Sequence, residues 1–235
     1  MPPPGRLRIL SANLWNDRAD AEAFAALVER LAVDVAALQE LGPRQAAALA
    51  RVLPHGVLEP GLDFHGMGIA TRSPVAVRRL TLPCRDARIS ELALAAADGT
   101  AVAVELINLH VQAPHSIRWS TVSHRRGQLR GLVRHMAAAP HHPRVLVGDF
   151  NATPLWPLYR RVTAHLRDAA LIAAARGGGR VQPTWGPRPG ARRLLRIDHA
   201  FVHRVAVLDF QVVPVPGGDH SAVVVDIATE GEPGG

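Results

Sequence analysis

Asn13, Glu40, His110, Asp149 with Asn151, Asp198 and the pair Asp219-His220 each stand at or just beside the end of an apolar run. Leu7–Ala12 leads into Asn13, Val33–Gln39 into Glu40, Val102–Leu109 into His110 and Arg144–Gly148 into Asp149. Carboxylates at the edge of a core are costly to bury without a cation or hydrogen-bond donors. Four carboxylates, two asparagines and two histidines without a cysteine make a hard, oxygen-rich set. Such a set suits Mg2+ or Mn2+ rather than structural zinc. It also fits in-line attack of water on a phosphodiester. That reaction needs an activated water, positive charge on the non-bridging oxygens and a stabilised leaving alkoxide. A histidine poised by a carboxylate partner supplies a proton donor or an electrostatic clamp. One at a time, the same residues have ordinary uses. Asn13 can cap a turn, Glu40 can start a helix, His110 can be a satisfied core histidine and Asp149-Phe150-Asn151 can be an Asx turn.

The runs between these residues set the elements that must hold them. A first strand ends near Asn13, and Asp17 or Asn16 is placed to cap a helix with Phe24, Leu27, Val28 and Leu31 at helical spacing. A second strand ends at Glu40, and a short helix follows Pro43. Strands are expected at Gly68–Thr71, Ile89–Ala96 and Val102–Leu109, the last two joined by the turn Asp98-Gly99. From Ser120 to Ala138 a helix sets Leu129, Leu132, Val133 and Met136 on one face and Arg126, Arg130 and Arg134 on another. Arg144–Phe150 is apolar through its middle, as in a strand buried on both faces. A helix over Trp156–Leu166, a long loop over Gly177–Gly190 and strands near Ile197–His203, Val205–Val213 and Ala222–Ile227 complete the pattern. The reading is a mixed α/β (α+β) single domain over residues 6–229, with disordered ends at 1–5 and 230–235.

All 27 basic side chains among the 235 residues are arginine, and the net charge is +7. The charge is unevenly placed. Residues 1–105 carry 11 Arg against 12 acids, residues 106–197 carry 15 Arg against Asp149 and Asp168, and residues 198–235 carry Arg204 against six acids. The middle block therefore nets +13. A one-signed block of this kind suits a polyanion, because guanidinium pairs with phosphate through a planar fork of donors; a solvated helix face with a basic loop would read the same way. Cys84 stands alone, which excludes an intramolecular disulfide framework. No apolar run approaches the ~20 residues of a membrane span, and the amino terminus lacks a signal-peptide pattern. The expectation is a cytoplasmic monomer.

The segments Ala12-Asn13-Leu14-Trp15, Leu38-Gln39-Glu40, Asn108-Leu109-His110, Gly148–Pro154, Arg196-Ile197-Asp198-His199 and Gly218-Asp219-His220-Ser221 resemble, in order, the signatures of the endonuclease/exonuclease/phosphatase superfamily. That superfamily includes deoxyribonuclease I and the exonuclease III-type abasic-site endonucleases. The resemblance runs from about residue 7 to 228 and implies a four-layer αββα sandwich, two packed mixed sheets flanked by helices, with the site at the strand ends. It implies that Glu40, helped by Asn13 and Asp219, ligates Mg2+ or Mn2+. Asp149 would deprotonate the attacking water, and Asn151 would hold a phosphate oxygen or that water. His220, fixed by Asp198, would stabilise charge on the phosphorane. His110 matches the general-acid histidine of the deoxyribonuclease I branch, and Glu91 the carboxylate that orients it. Arg126, Arg188, Arg193, Arg196 and Trp185 fall in segments that border the mouth of the site in that fold, where they would bind substrate; Trp185 can equally anchor its loop. The implied activity is a metal-dependent phosphodiesterase, a nuclease first, with nucleic acid as partner. A phospholipid, sphingomyelin or inositol-phosphate hydrolase of the same fold is the second reading, and a non-catalytic nucleic-acid-binding module the third.

Overall fold

The computed structural model describes residues 5–96, 98–114 and 119–229. Of the ends expected to be disordered, residues 1–4 and 230–235 lie outside the described residues, whereas Gly5 is a turn residue leading into the first strand. One six-stranded sheet has the order β11-β12-β1-β2-β4-β3. Its strands are β1 (Arg6–Asn13), β2 (Val35–Gln39), β3 (His55–Glu59), β4 (Met67–Thr71), β11 (Val205–Pro214) and β12 (Ser221–Thr229). The other has the order β5-β6-β7-β8-β10-β9. It is built from β5 (Val77–Leu80), β6 (Ala87–Ala95), β7 (Ala101–His110), β8 (Arg144–Asp149), β9 (Arg167–Asp168) and β10 (Asp198–His203). Each sheet has one parallel neighbour pair, β1 with β2 and β7 with β8; the rest are antiparallel.

Strand alternation divides the core into three apolar layers. Along β1, Ile9 packs between the sheets with Val35, Leu106, Val147 and Val225. Its neighbour Leu10 faces outward to Phe24, Leu27 and Leu49 of helices α1 (Ala21–Arg30) and α2 (Pro43–Ala50). On the other outer face, Ile107, Leu146 and Phe201 meet Leu129, Leu132 and Met136 of α3 (Trp119–Ala138) and Leu158 and Val162 of α4 (Pro157–Thr163). The result is a four-layer α/β sandwich, as the resemblance implied. Helix α5 (Ala169–Gly177) packs against β11 and β10. No helix among the described residues is long and apolar enough to cross a membrane.

Local chemistry explains the boundaries. Asp20, not Asp17 or Asn16, caps α1, accepting from Ala23 N at 3.0 Å. Asp17 instead accepts from Arg44 N and Arg44 Nε, at the start of α2. Gly42 precedes Pro43 at the head of α2, and Gln45 Oε1 accepts from Gly42 N at 2.9 Å. The expected loop after Gly177 holds, with Gly178 in a left-handed cap (φ 65).

Candidate active site

Strands β1 and β2 of one sheet, and β7 and β8 of the other, end at the same edge of the sandwich; β10 and β12, which run against them, begin there. His110, Asp149 and Asp198 are register partners across β7, β8 and β10, so their side chains share one rung. Gly148 makes that rung possible. Its φ is +140, and a Cβ there would lie 1.8 Å from Leu109 O, so no other residue fits before Asp149. The two sheets are tied by buried amides: Gln39 Nε2 donates to Asn108 Oδ1 at 2.6 Å, and Asn108 Nδ2 donates to Leu38 O and Gly68 O at 2.9 Å. A satisfied polar network of this kind fixes the relative setting of the strands it joins.

Asp149 is buried and receives three donors. Asn151 N reaches Oδ1 at 2.8 Å, while Asn151 Nδ2 and Asn13 Nδ2 reach Oδ2 at 3.0 and 3.1 Å. Asn13 Nδ2 also donates to Glu40 Oε1 at 3.1 Å, and Asn13 Oδ1 accepts from Trp15 N at 3.0 Å. Asn13 thus presents its nitrogen to the carboxylates, because an oxygen there would repel them. It thereby bridges the two sheets. Trp15, Asn16 and Asp17 follow with φ of 53, 50 and 64, and Glu40 has φ 49. Left-handed conformations cost non-glycine residues roughly 1–2 kcal/mol each. Here they are held by the Asn13–Trp15 bond and by Asn16 N donating to Glu40 O at 3.1 Å.

His220 Nδ1 lies 2.9 and 3.1 Å from the two oxygens of Asp198, leaving Nε2 for a ligand. Asp198 is itself positioned by Thr184, whose Oγ1 accepts from Ile197 N and Asp198 N at 3.1 and 3.0 Å. Burial would lower the His220 pKa, but the charge and hydrogen bond of Asp198, then Asp149 and Asp219, raise it to about 10. Burial, with the charges of Asp198 and Glu40, pushes the Asp149 carboxyl up to about 7, against His220 and the Asn151 N–H. Burial likewise raises Glu40, opposed by the Asn13 hydrogen bond and the charge of His220. His110 is held well below its usual range by burial and then by the charges of Arg85, His220 and His65. Its Nε2 is 3.7 Å from both Glu40 Oε1 and Asp149 Oδ2. Its Nδ1 is buried without a hydrogen-bond partner, although the Phe64 backbone passes near enough to favour a charged ring. Asp149, Asp198 and His220 each bring one potential ligand atom within 4.8 Å of the others, a buried cluster that could hold a metal ion.

A cavity of about 450 Å³ opens over these groups, with Glu40, Asp149, Asn151, Asp219 and His220 in its lining and Trp15, Phe64, Trp156 and Trp185 among its walls. Arg85 also lines it. Its guanidinium lies 4.7 Å from the Phe64 ring centre, and its buried Nε and Nη1 have no hydrogen-bond partner. A buried cation without a partner beside a cavity is costly unless an anion meets it. Arg85 carried no signal in the sequence, because it sits in an irregular segment before β6. Arg125 was likewise passed over: it donates to Gln112 O and Asn151 O, the latter at 3.1 Å, and so braces the Asn151 turn.

The remaining expected residues divide. Asp219 lines the cavity with a buried, unpartnered Oδ1. Trp185 lines it too and is stitched to its loop, its N donating to Leu195 O at 2.8 Å. Glu91 does not orient His110. It pairs with Glu105 in the register, five residues down β7 and so about 17 Å away at strand rise. The strand alternation turns it outward, where it meets His142 Nε2 at 3.0 Å. Arg196 is taken up by Asp168 Oδ2 at 2.8 Å and Tyr159 Oη at 3.1 Å, a brace for the segment before Asp198 rather than a substrate contact. Arg193 is also a brace: it donates to Gly218 O and His220 O at 3.0 and 2.9 Å. Arg188 is exposed and outside the cavity lining, and Arg126 lines a separate groove on α3.

Residues 10–220 match the Endonuclease/Exonuclease/phosphatase family. The chain belongs to this family. Among solved structures it is similar to an endonuclease/exonuclease/phosphatase from Beutenbergia cavernae, at 22% identity and a TM-score of 0.70 over 98% of this chain and 73% of that one. A functionally unknown conserved protein from Enterococcus faecalis shows a TM-score of 0.72 at 16% identity, over 95% of this chain and all of that one (100%). A humanized D. rerio TDP2 shows 0.67 at 18% identity, over 95% and 99%. At these identities the likeness is one of fold. No curated protein matches the chain in sequence.

Proposed function

We propose that this family member is a divalent-metal-dependent phosphodiester hydrolase that cleaves nucleic acid. The observation that carries the reading is Asp149: buried, poised near neutrality, and set between the Asp198–His220 pair and Glu40 under an open cavity. The donors suit a hard cation. Asp219 Oδ1 is buried without a partner and the Glu40 carboxyl is pushed up by burial, so both would gain from a positive charge. Glu40 and Asp219 would hold Mg2+ or Mn2+, which when bound polarises a phosphoryl oxygen and offsets developing charge. Asp149 takes the proton of the attacking water, its carboxylate held by Asn13 and Asn151. His220, anchored on Asp198, offers its Nε2–H to a non-bridging oxygen, and Arg85 supplies a second cation. His110 stays neutral beside two carboxylates, which favours a role in separating them over protonating the leaving group.

Nucleic acid is supported by the +13 block at residues 106–197. A phospholipid substrate is the second reading. It is favoured by Leu62, Leu155 and Leu194, which are 87%, 80% and 61% exposed on segments next to the wall residues Phe64, Trp156 and Leu195. Plasmid and single-stranded oligonucleotide should be incubated with Mg2+, Mn2+ or EDTA, with bis(p-nitrophenyl) phosphate and sphingomyelin in parallel. Cleavage of nucleic acid with metal and none with EDTA is the expected result. Turnover of lipid alone would move the assignment to the second reading, and turnover of no diester would sink both.

A further inference from the structure

Next to the catalytic cavity, a smaller groove of about 250 Å³ runs between α3 and α4. Its apolar walls are Val122, Leu129, Trp156, Pro157 and Leu158, and Arg126 and Arg161 stand exposed on its lining. Trp156 lines both spaces, so the groove continues the cavity around one indole. Arg125 holds that partition in place, its guanidinium 5.3 Å from the Trp156 ring centre while it donates to Asn151 O at 3.1 Å. The charge here is uncompensated. No acid occurs between residues 106 and 148, Asp149 belongs to the catalytic rung, and Asp168 is occupied by Arg196 and Tyr159. Among the described residues, neither Arg126 nor Arg161 has an ion-pair partner.

We propose that this groove is a second nucleotide subsite for a single-stranded nucleic acid whose scissile phosphate lies in the main cavity. An unpaired base packs against Trp156, Pro157 and Leu158, and the neighbouring phosphate lies between Arg126 and Arg161. Aromatic and apolar walls take bases of any sequence, provided they are unstacked from a partner strand. The pair of free guanidinium groups decides the ligand class. A sphingomyelin-type diester has one phosphate, and the catalytic cavity takes it; a groove with cations of its own calls for a second phosphate on the same molecule. The inference rests on the phosphodiesterase reading, because that reading puts the first phosphate in the cavity.

Binding separates the two. Fluorescence anisotropy of labelled single-stranded oligodeoxynucleotides of increasing length, in EDTA so that nothing turns over, compares the wild type with the exposed double variant Arg126→Glu/Arg161→Glu. Affinity should fall roughly tenfold or more. The slope of log affinity against log salt should shrink by about 0.7, the value for one phosphate contact on a single strand. Equal affinity and slope in the variant would overturn the subsite, as would a long-chain alkyl phosphodiester whose binding depends on these arginines as strongly as the oligonucleotide's does. Turnover of bis(p-nitrophenyl) phosphate with Mn2+ reports on the cavity alone. Binding as described without such turnover would overturn the catalytic reading and leave the subsite standing.

Discussion

At the end of β8 away from the cavity, the buried Glu105 receives Arg144 Nε at 2.6 Å, His135 Nε2 at 2.7 Å and Arg78 Nη2 at 3.2 Å. Five rungs along the β7–β8 pairing, the equally buried Asp149 on β8 receives only amide donors and shares its rung with another carboxylate. Burial alone would raise Glu105, but Arg144 and His135 outweigh it and hold the carboxyl below its usual range. Asp149 goes the other way, to about 7. Asp226 repeats the first pattern, with Arg8 Nε and Nη2 forked on its oxygens at 2.8 and 2.9 Å. One end of the sandwich thus neutralises its carboxylates with guanidinium groups and is finished as structure. The other leaves its carboxylates without guanidinium partners, a deficit that a metal ion would fill, while the unpartnered Arg85 faces the same cavity.

The contrast can be broken most sharply at Asp149. Asp149→Asn should lower kcat roughly 10²–10⁴-fold, the scale of a general base, with no loss of melting temperature. A variant that unfolds, or that turns over normally, would put Asp149 with Glu105 as a structural group. Glu105→Gln should do the reverse, costing about 3–5 kcal/mol in chemical denaturation because it strands Arg144 in the core. Third, saturating Mn2+ should stabilise the wild type by about 2.7 kcal/mol at a hundred times its Kd. Glu40→Gln should lose most of that gain; an equal gain in the variant would remove Glu40 from the metal site.

A further expected effect is on the pH dependence of the metal-free protein. Asp149 has a folded pKa above its unfolded value, so between about 4 and 7 the folded state binds more protons. Its contribution to stability therefore falls as pH rises through that window. Glu105, lowered in the fold, contributes stability above its unfolded value that is lost as pH falls. His220, raised to about 10, contributes stability below 6.5 that is lost as pH rises through 10. Denaturation of Asp149→Asn across pH 4 to 8 should show a more positive slope than the wild type; parallel curves would contradict the raised carboxyl.

Much of this end was readable in the sequence, because a polar residue at either end of an apolar strand has few uses. Asn13, Glu40, His110, Asp149 and Asp198 follow from that pattern. The edge strands do not: β3 (HGVLE) and β5 (VRRL) are short and largely exposed, so no apolar alternation marks them. Helix α5 is mostly alanine, which has helix propensity but gives no clear apolar face. Glu91 was misplaced because a motif match carries no register, and the β6–β7 pairing sets it five residues from His110. The arginines were legible as a charge block but not one by one. Arg193 and Arg196 became braces, while Arg85 and Arg125, with no pattern around them, reached the site.

The position of β12 ties completion of the candidate site to the order of chain growth. It lies between β11 and β1 in the interior of its sheet, and the pairing Arg8–Asp226 closes a loop of 218 residues. His220, immediately before β12, has its partner Asp198 on the opposite sheet. A nascent chain can therefore complete the second sheet, with Asp149 and its rung, while the imidazolium is still missing. Such contacts between distant segments form late and slowly, so the proposed site is completed only with the closing strand.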